Sequence, residues 1–231
     1  MSPSIKYLIV FFLVFFPSIL LIERASVFIK QKRIRKSFRT IAARNGGVLT
    51  PDTSDRKYYY QFPRLGIVYK NTPMNIGVYW HKSGGHCSGR FLSIEIPVEG
   101  SGPNTEKSDI VLIVTNQIAR SGVFLRGILP TQEALFKSRL KKVPIDTQGE
   151  VLMFMSDQSL ESVMLTSILR DNVLRLAKKY KEVDLIFGST LFGKEVGRRI
   201  FCRVNGIPDG VNDIELACRI VSDIDELYYR K

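Results

Sequence analysis

The chain has 231 residues, enough for one substantial domain or two small ones, and its apolar and charged fractions of 45% and 24% are ordinary for a folded protein. Three cysteines, few and odd in number, argue against a secreted disulfide scaffold. The net charge of +12 is concentrated at the amino terminus: residues 1–44 carry nine Lys/Arg and one Glu, whereas the other 187 residues carry 25 Lys/Arg and 21 Asp/Glu. A nucleic-acid-binding domain more often carries its charge on the folded body, so nucleic acid is not expected as a partner.

The first predicted element is a transmembrane helix over residues 5–29. Its centre, residues 7–22, contains no charge but is slightly shorter than the usual ~20 apolar residues of a spanning helix. The apolar residues that follow lengthen the span if Glu23 and Arg24 lie in the headgroup layer. Pro17 is tolerable in a membrane helix and is expected to kink it.

A cleaved signal peptide and a buried core helix are the alternatives to a membrane anchor. No small-x-small cleavage site follows the apolar run, and a dense basic block does follow it. The cations of this block, which we regard as candidate membrane-surface residues, are Arg24, Lys30, Lys32, Arg33, Arg35, Lys36 and Arg39, followed by Arg44. Positive charge beside a span stays in the cytoplasm. The pattern therefore predicts a single-pass protein of a bacterial inner membrane, with the amino terminus outside and the carboxy-terminal domain in the cytoplasm.

Residues 30–45 are predicted to form a basic juxtamembrane helix. Val27, Ile34 and Ile41 are spaced by seven residues, and Phe38 lies four beyond Ile34, so the four share one helix face. The remaining face is cationic. Either it attracts anionic lipid headgroups, or its charges only set the topology, and the two readings are compatible.

A cytosolic α+β domain of mainly antiparallel sheet with two or three packed helices is expected over residues 46–231, with a tolerable seam near residues 100–108. Tyr, Val, Ile and Phe cluster in short runs separated by Gly, Pro, Asn and Asp, as in strands. The predicted strands are 57–62, 66–70, 75–80, 90–96, 109–115, 122–128, 150–156, 183–187 and 199–204. The predicted helices are a short basic one over 132–142, a long one over 158–180 and a last one from near residue 212, with Cys218 on its apolar face.

The stretch "VDLIFGSTLFGKEVG" comes closest to a catalytic signature. Gly188, Gly193 and Lys194 stand where the phosphate-binding loop pattern G-x-x-x-x-G-K-[ST] requires them. Glu195, however, replaces the hydroxyl that would bind magnesium, and the residues that follow are β-prone rather than helical. A P-loop needs a helix directly after the lysine, so the stretch is predicted to be a β-hairpin instead.

The stretch "WHKSGGHCSGR" is the weak candidate for a metal site. His81, His86 and Cys87 could offer three ligands to zinc, but no second Cys/His cluster accompanies them. A Ser-Gly-Gly tip between two β-type runs suits a hairpin. The sequence therefore predicts neither a metal nor another cofactor, and no catalytic residue.

Taken together, a short span, a basic helix ending in "ARNGG", a β-rich middle and the strand–helix unit "FMSDQSLESVMLTSILRDNVLRLAKKY" resemble certain bacterial membrane-anchored proteins of unknown function. The closest local match is at Phe154, Ser156-Asp157, Leu165-Thr166 and Leu174. The resemblance implies an architecture and no activity, so it assigns no functional residue.

The sequence favours a membrane-held binding or regulatory module with a protein partner, acting without catalysis. Two alternatives of other classes stay open. One is a domain that engages anionic lipid through its basic helix, and the other is an enzyme whose site is assembled from residues distant in the sequence. An exposed apolar patch or an open sheet edge would favour the partner module.

Overall fold

The structure is a computed structural model. It describes residues 3–51, 62–83, 86–97, 110–115, 141–143, 151–155, 167–180, 182–187 and 198–229. The predicted strand 122–128 and the predicted seam lie outside these residues, as do the first parts of the predicted helices over 132–142 and 158–180.

Three helices and nine strands make up the described chain. The helices are α1 (Pro3–Asn45), α2 (Ser167–Tyr180) and α3 (Val211–Tyr229). The strands are β1 (Val48–Thr50), β2 (Arg64–Tyr69), β3 (Thr72–Ser83), β4 (His86–Pro97), β5 (Ile110–Thr115), β6 (Lys141–Val143), β7 (Val151–Met155), β8 (Glu182–Phe187) and β9 (Arg198–Asn205). They form one sheet in the order β1-β2-β3-β4-β9-β8-β5-β7-β6, and neighbouring strands pair antiparallel throughout. The α+β class is therefore confirmed.

Two local predictions need correction. Lys141 and Lys142 were expected at the end of a basic helix, but they lie in β6, where they pair with β7. Sheet pairing outweighs the weak helical preference of so short a segment. Phe62, the last residue of the predicted strand 57–62, lies outside any strand, and the rest of that prediction falls outside the described residues.

A two-residue turn joins β2 to β3 and sets their register. Tyr69 pairs with Thr72, and the two residues between them, Lys70 and Asn71, have φ angles of 48° and 65°. Positive φ at both central positions is the geometry of a type I′ turn, whose twist matches that of the strands it connects. The turn places Lys70 next to α3, where its Nζ lies 3.6 Å from Asp223 Oδ1.

The hydrophobic core lies on one face of the sheet, beneath all three helices. Alternate strand residues point into it, because side chains alternate between the two faces of a strand. In the central strands these are Leu92, Ile94, Ile96, Val183, Leu185, Ile200, Cys202 and Val204, all fully buried. The helices contribute Val173, Leu176 and Ala177 of α2 and Ile214, Ala217, Cys218, Ile220, Val221 and Ile224 of α3.

Helix α1 divides into two halves of opposite character. Residues 11–22 are exposed throughout, with Leu13 at 68% and Ile22 at 69% of full exposure. Farther along the same helix, Val27, Ile34, Phe38 and Ile41 are buried to 3% or less. By its length and composition, the helix could cross a membrane. The shared face predicted for the second half is thus confirmed, and it packs into the core of the domain, against β1, β2 and α3.

Candidate functional site

The cations of α1 lie on the outside of the molecule. Arg24, Lys30, Lys32, Arg33, Arg35, Lys36, Arg39 and Arg44 are all exposed. Since the apolar side of the helix is buried in the core, these charges project from the remaining sides along about six turns. The predicted membrane-surface residues are therefore accessible, as such a role requires.

Two of these cations also hold α1 to α3 and to the residues that immediately precede it. Arg33 Nη1 lies 3.3 Å from Asp209 Oδ2, and Arg44 Nη1 lies 3.0 Å from Glu215 Oε1. Between them, Ser37 Oγ donates a 2.5 Å hydrogen bond to the main-chain carbonyl of Asp209. The ion pairs are largely exposed and contribute about 0–1 kcal/mol each to stability. The buried apolar face of α1 therefore supplies most of the attachment to the domain, and the polar contacts fix the rotation of α1 about its own axis.

A row of buried polar side chains crosses the opposite face of the sheet, in β4, β9 and β8. Ser93 lies opposite Arg203, and Arg203 lies opposite Asp184 in the strand register. Arg203 Nε donates a 2.5 Å hydrogen bond to Asp184 Oδ2, and its Nη2 contacts the same oxygen. Ser93 Oγ donates to Glu95 Oε1 over 3.1 Å. We call Ser93, Glu95, Asp184 and Arg203 the polar row.

The polar row is buried despite its charges. Asp184 retains 1% of its exposure and Arg203 8%. The Arg203 guanidinium also lies over the Phe91 ring, with Cζ 5.4 Å from the ring centroid, a cation–π contact. Burying two charges is costly unless they are paired, and here both Arg203 contacts are made to a single carboxylate oxygen of Asp184. Among the described residues, the polar row is the cluster that most resembles a catalytic site. Its acidic residue, Asp184, and its basic residue, Arg203, are however paired with each other.

A second polar group fixes α3 on the β2–β3 turn. Thr72 Oγ1 lies 3.3 Å from Ser222 Oγ and donates to Asp225 Oδ2 over 3.4 Å. All three side chains are buried to 3% or less. The contacts link two structural elements and leave the hydroxyls no access to a substrate from solvent.

Asp213, in the first turn of α3, receives hydrogen bonds from the end of α2. Tyr180 OH and Lys179 Nζ each lie 2.5 Å from Asp213 Oδ2. Burial, followed by the hydrogen bond to Asp213, raises the pKa of Tyr180 above its ordinary value of 10.0. The phenol therefore stays protonated near neutral pH and acts as a donor to the carboxylate.

The two described cysteines are core residues. Cys202 and Cys218 are fully buried, and burial raises the pKa of both thiols well above the ordinary value of 9.0, with the nearby Asp184 charge adding to the effect at Cys202. A thiol nucleophile must ionise, so neither side chain is suited to nucleophilic catalysis.

The β3–β4 hairpin carries the weak metal candidates. His81 pairs with Gly89, Cys87 with Lys82 and His86 with Ser83, with a register shift between His81 and Lys82. The hairpin expected from the Ser-Gly-Gly tip is therefore present in the backbone. The side chains of His81, His86 and Cys87 lie outside the described part of the structure, so the metal hypothesis stays untested.

The P-loop-like stretch joins two strands of the same hairpin. Residues 188–197 lie outside the described residues, but β8 before them and β9 after them pair antiparallel, from Val183–Val204 to Phe187–Ile200. Only three residues separate Lys194 from the first residue of β9. That leaves no room for the helix whose amino terminus would hold a phosphate. The predicted hairpin is confirmed.

One part of the outward-facing sheet surface is open to solvent. On β1 to β3, the face opposite the helices carries Val48 and Val68, which are 66% and 57% exposed, together with Thr50, Arg64 and Asn75. Gly66, between Val48 and Asn75 in the register, adds no side chain to this surface. Strand β1 pairs only with β2 and ends the described sheet. We call these residues the outer sheet face.

The sequence-based prediction missed the polar row and the outer sheet face. A signal for the polar row was available, because Asp184 and Arg203 are charged residues within the apolar strands "EVDLIF" and "RRIFCRVN". A charge in such a strand needs a partner if it is buried.

No protein-family model and no curated protein matches this chain.

Proposed function

We propose that the chain is a single-span membrane protein whose cytosolic domain binds a protein partner and catalyses no reaction. The observation that carries the proposal is the continuity of α1 from Pro3 to Asn45. One helix supplies both the exposed apolar run of residues 11–22 and four residues of the domain core, and it is long and apolar enough to cross a membrane. An exposed run such as residues 11–22 is unfavourable in water and favourable in a bilayer.

The placement of charge supports an orientation with the domain in the cytoplasm. Eight cations lie between Arg24 and Arg44, whereas only Lys6 precedes the apolar run. Such a bias retains the basic flank on the cytoplasmic side. A reporter fused after Lys231 should be active only in its cytoplasmic form, and a mature protein beginning near residue 26 and free of the membrane would refute the anchor.

The outer sheet face supports a binding role. It combines two exposed valines with the strand that ends the described sheet, and both exposed apolar side chains and edge strands can accept a partner. Three sets of reactive side chains among the described residues, by contrast, are engaged in buried contacts: the polar row, the Thr72 group and the two core thiols. A catalytic role for those residues would require breaking contacts that support the fold.

The binding role is tested by cross-linking in the native membrane. A photoreactive residue at Val68 should form an adduct with a second protein, and one at Arg175, which is exposed on α2, should not. Val48→Glu, on the neighbouring strand of the same outer sheet face, should abolish the adduct formed from position 68 without lowering the melting temperature, because the Val48 side chain is exposed. Adducts of equal yield at both positions, or an adduct from position 68 that survives Val48→Glu, would contradict this choice of surface.

A further inference from the structure

We infer that two groups of cations on α1 have different roles, and that of these two only the group nearest the apolar segment binds anionic lipid headgroups. The membrane-side cations are Arg24, Lys30 and Lys32, and the outer cations are Lys36 and Arg39. The inference rests on the proposed membrane anchor and names a partner for its basic flank.

The depth of each cation follows from the geometry of an unbroken helix. Pro3 to Ile22 comprises 20 residues of α1, which at 1.5 Å per residue match the ~30 Å hydrocarbon thickness of a bilayer. With Ile22 at the boundary, Lys30 and Lys32 lie about 12 and 15 Å along the axis beyond it. Lys36 and Arg39 lie about 21 and 26 Å beyond it.

Screening by salt weakens the attraction of the outer cations to the headgroups much more than that of the membrane-side cations. The headgroup layer adds about 5–8 Å to the hydrocarbon on each side. Lys30 and Lys32 then stand within about 10 Å of the headgroup surface, near the ~8 Å screening length of physiological salt and within reach of their long side chains. Lys36 and Arg39 stand about 13–20 Å away, where most of the attraction is lost. A helix tilt of about 20° shortens these heights by less than a tenth, so it leaves the order unchanged.

The packing of α1 prevents the outer cations from reaching the bilayer. A free juxtamembrane helix could lie flat on the membrane and bring every cation to the headgroups. Here Val27, only five residues beyond Ile22, is already buried in the domain, and so are Ile34, Phe38 and Ile41. The amphipathic face that would enter the interface is occupied by the domain, and the helix is left standing away from the surface.

The experiment measures lipid selectivity with two variants of equal charge. The full chain is reconstituted in phosphatidylcholine vesicles containing a minority of phosphatidylglycerol, and its association with spin-labelled forms of the two lipids is compared. The wild type should prefer phosphatidylglycerol. Lys30→Gln/Lys32→Gln should lower the preference, by up to about fivefold for each cation removed, and Lys36→Gln/Arg39→Gln should leave it unchanged.

Failure of the inference and failure of the anchor give different results. A protein that resists alkaline extraction from the vesicles but shows no preference, or loses it equally in both variants, overturns the division of the cations and leaves the anchor intact. A protein that alkaline extraction releases overturns the anchor and the inference together. All four substituted side chains are exposed, so the variants should fold alike, and equal melting temperatures check this.

Discussion

Ser37 and Asp209 are joined by a 2.5 Å hydrogen bond from the Ser37 hydroxyl to the Asp209 main-chain carbonyl, across 172 positions of the sequence. The bond lies between the ion pairs of Arg33 and Arg44 with the start of α3. Beside it, the apolar face of α1 is part of the domain core. The helix that would anchor the protein is therefore also one of the helices that its folded domain requires.

We expect Phe38→Ala to destabilise the domain strongly and Phe28→Ala to leave it nearly unchanged. Phe38 is fully buried, whereas Phe28, on the same helix, is 65% exposed. Removing a buried phenylalanine costs about 3–5 kcal/mol, and an exposed one usually less than about 0.5 kcal/mol. Denaturant unfolding of the full chain in detergent, followed by near-UV circular dichroism, measures the two changes. Similar small effects would show that α1 is not seated in the core.

Substitutions of Asp184 and Arg203 should have coupled effects on the free energy of unfolding, because the two residues form a buried ion pair. Asp184→Ala leaves Arg203 buried with its main anionic partner removed, which should cost about 3–5 kcal/mol. The double variant Asp184→Leu/Arg203→Leu should lose less than either single variant, because it leaves no buried charge. Asp223→Ala is the control: its pair with Lys70 is partly exposed and should contribute less than about 1 kcal/mol. Additive losses in the double variant would refute the coupling.

The core thiols should make the domain less stable in alkali. Burial raises the pKa of Cys202 and Cys218 above the ordinary value of 9.0, so the folded chain holds these protons while the unfolded chain releases them. Their contribution is complete below that value and is lost as the pH rises through it. The urea midpoint should fall from about pH 8 to about pH 10, and it should fall less in Cys202→Ala/Cys218→Ala. If the urea midpoint falls equally with pH in the wild type and in the double variant, the thiols are not the cause of the lower stability in alkali.

Lys194 should have no part in nucleotide binding. Only three residues separate Lys194 from the strand that pairs with β8, which leaves no room after the lysine for the helix whose amino terminus would hold phosphate. ATP should not raise the melting temperature of the full chain, and a chelator should not lower it, since any ligand of the folded state would stabilise it by mass action. An ATP-dependent rise that disappears in Lys194→Ala would restore the P-loop and the enzyme hypothesis.

The sequence alone determined the elements whose evidence is local. The uncharged run of residues 7–22, the spacing of Val27, Ile34, Phe38 and Ile41, and the β-prone segments around "GSTLFGKEVG" each express a periodicity that neighbouring residues define. The structure has the apolar helix, the shared face and the hairpin in these places. Element boundaries were less accurate, as at Lys141 and Lys142, because short segments take their structure from the strands they meet.

Only the tertiary structure decided what those surfaces meet. The apolar face of α1 has the same pattern whether it covers a membrane interface or a domain core, and its burial beside α3 depends on residues about 170 positions away. Likewise, β9 joins β4 to β8, which brings Arg203 between Ser93 and Asp184. Periodicity specifies which side of an element is apolar, but the partner of that side is set by contacts distant in sequence.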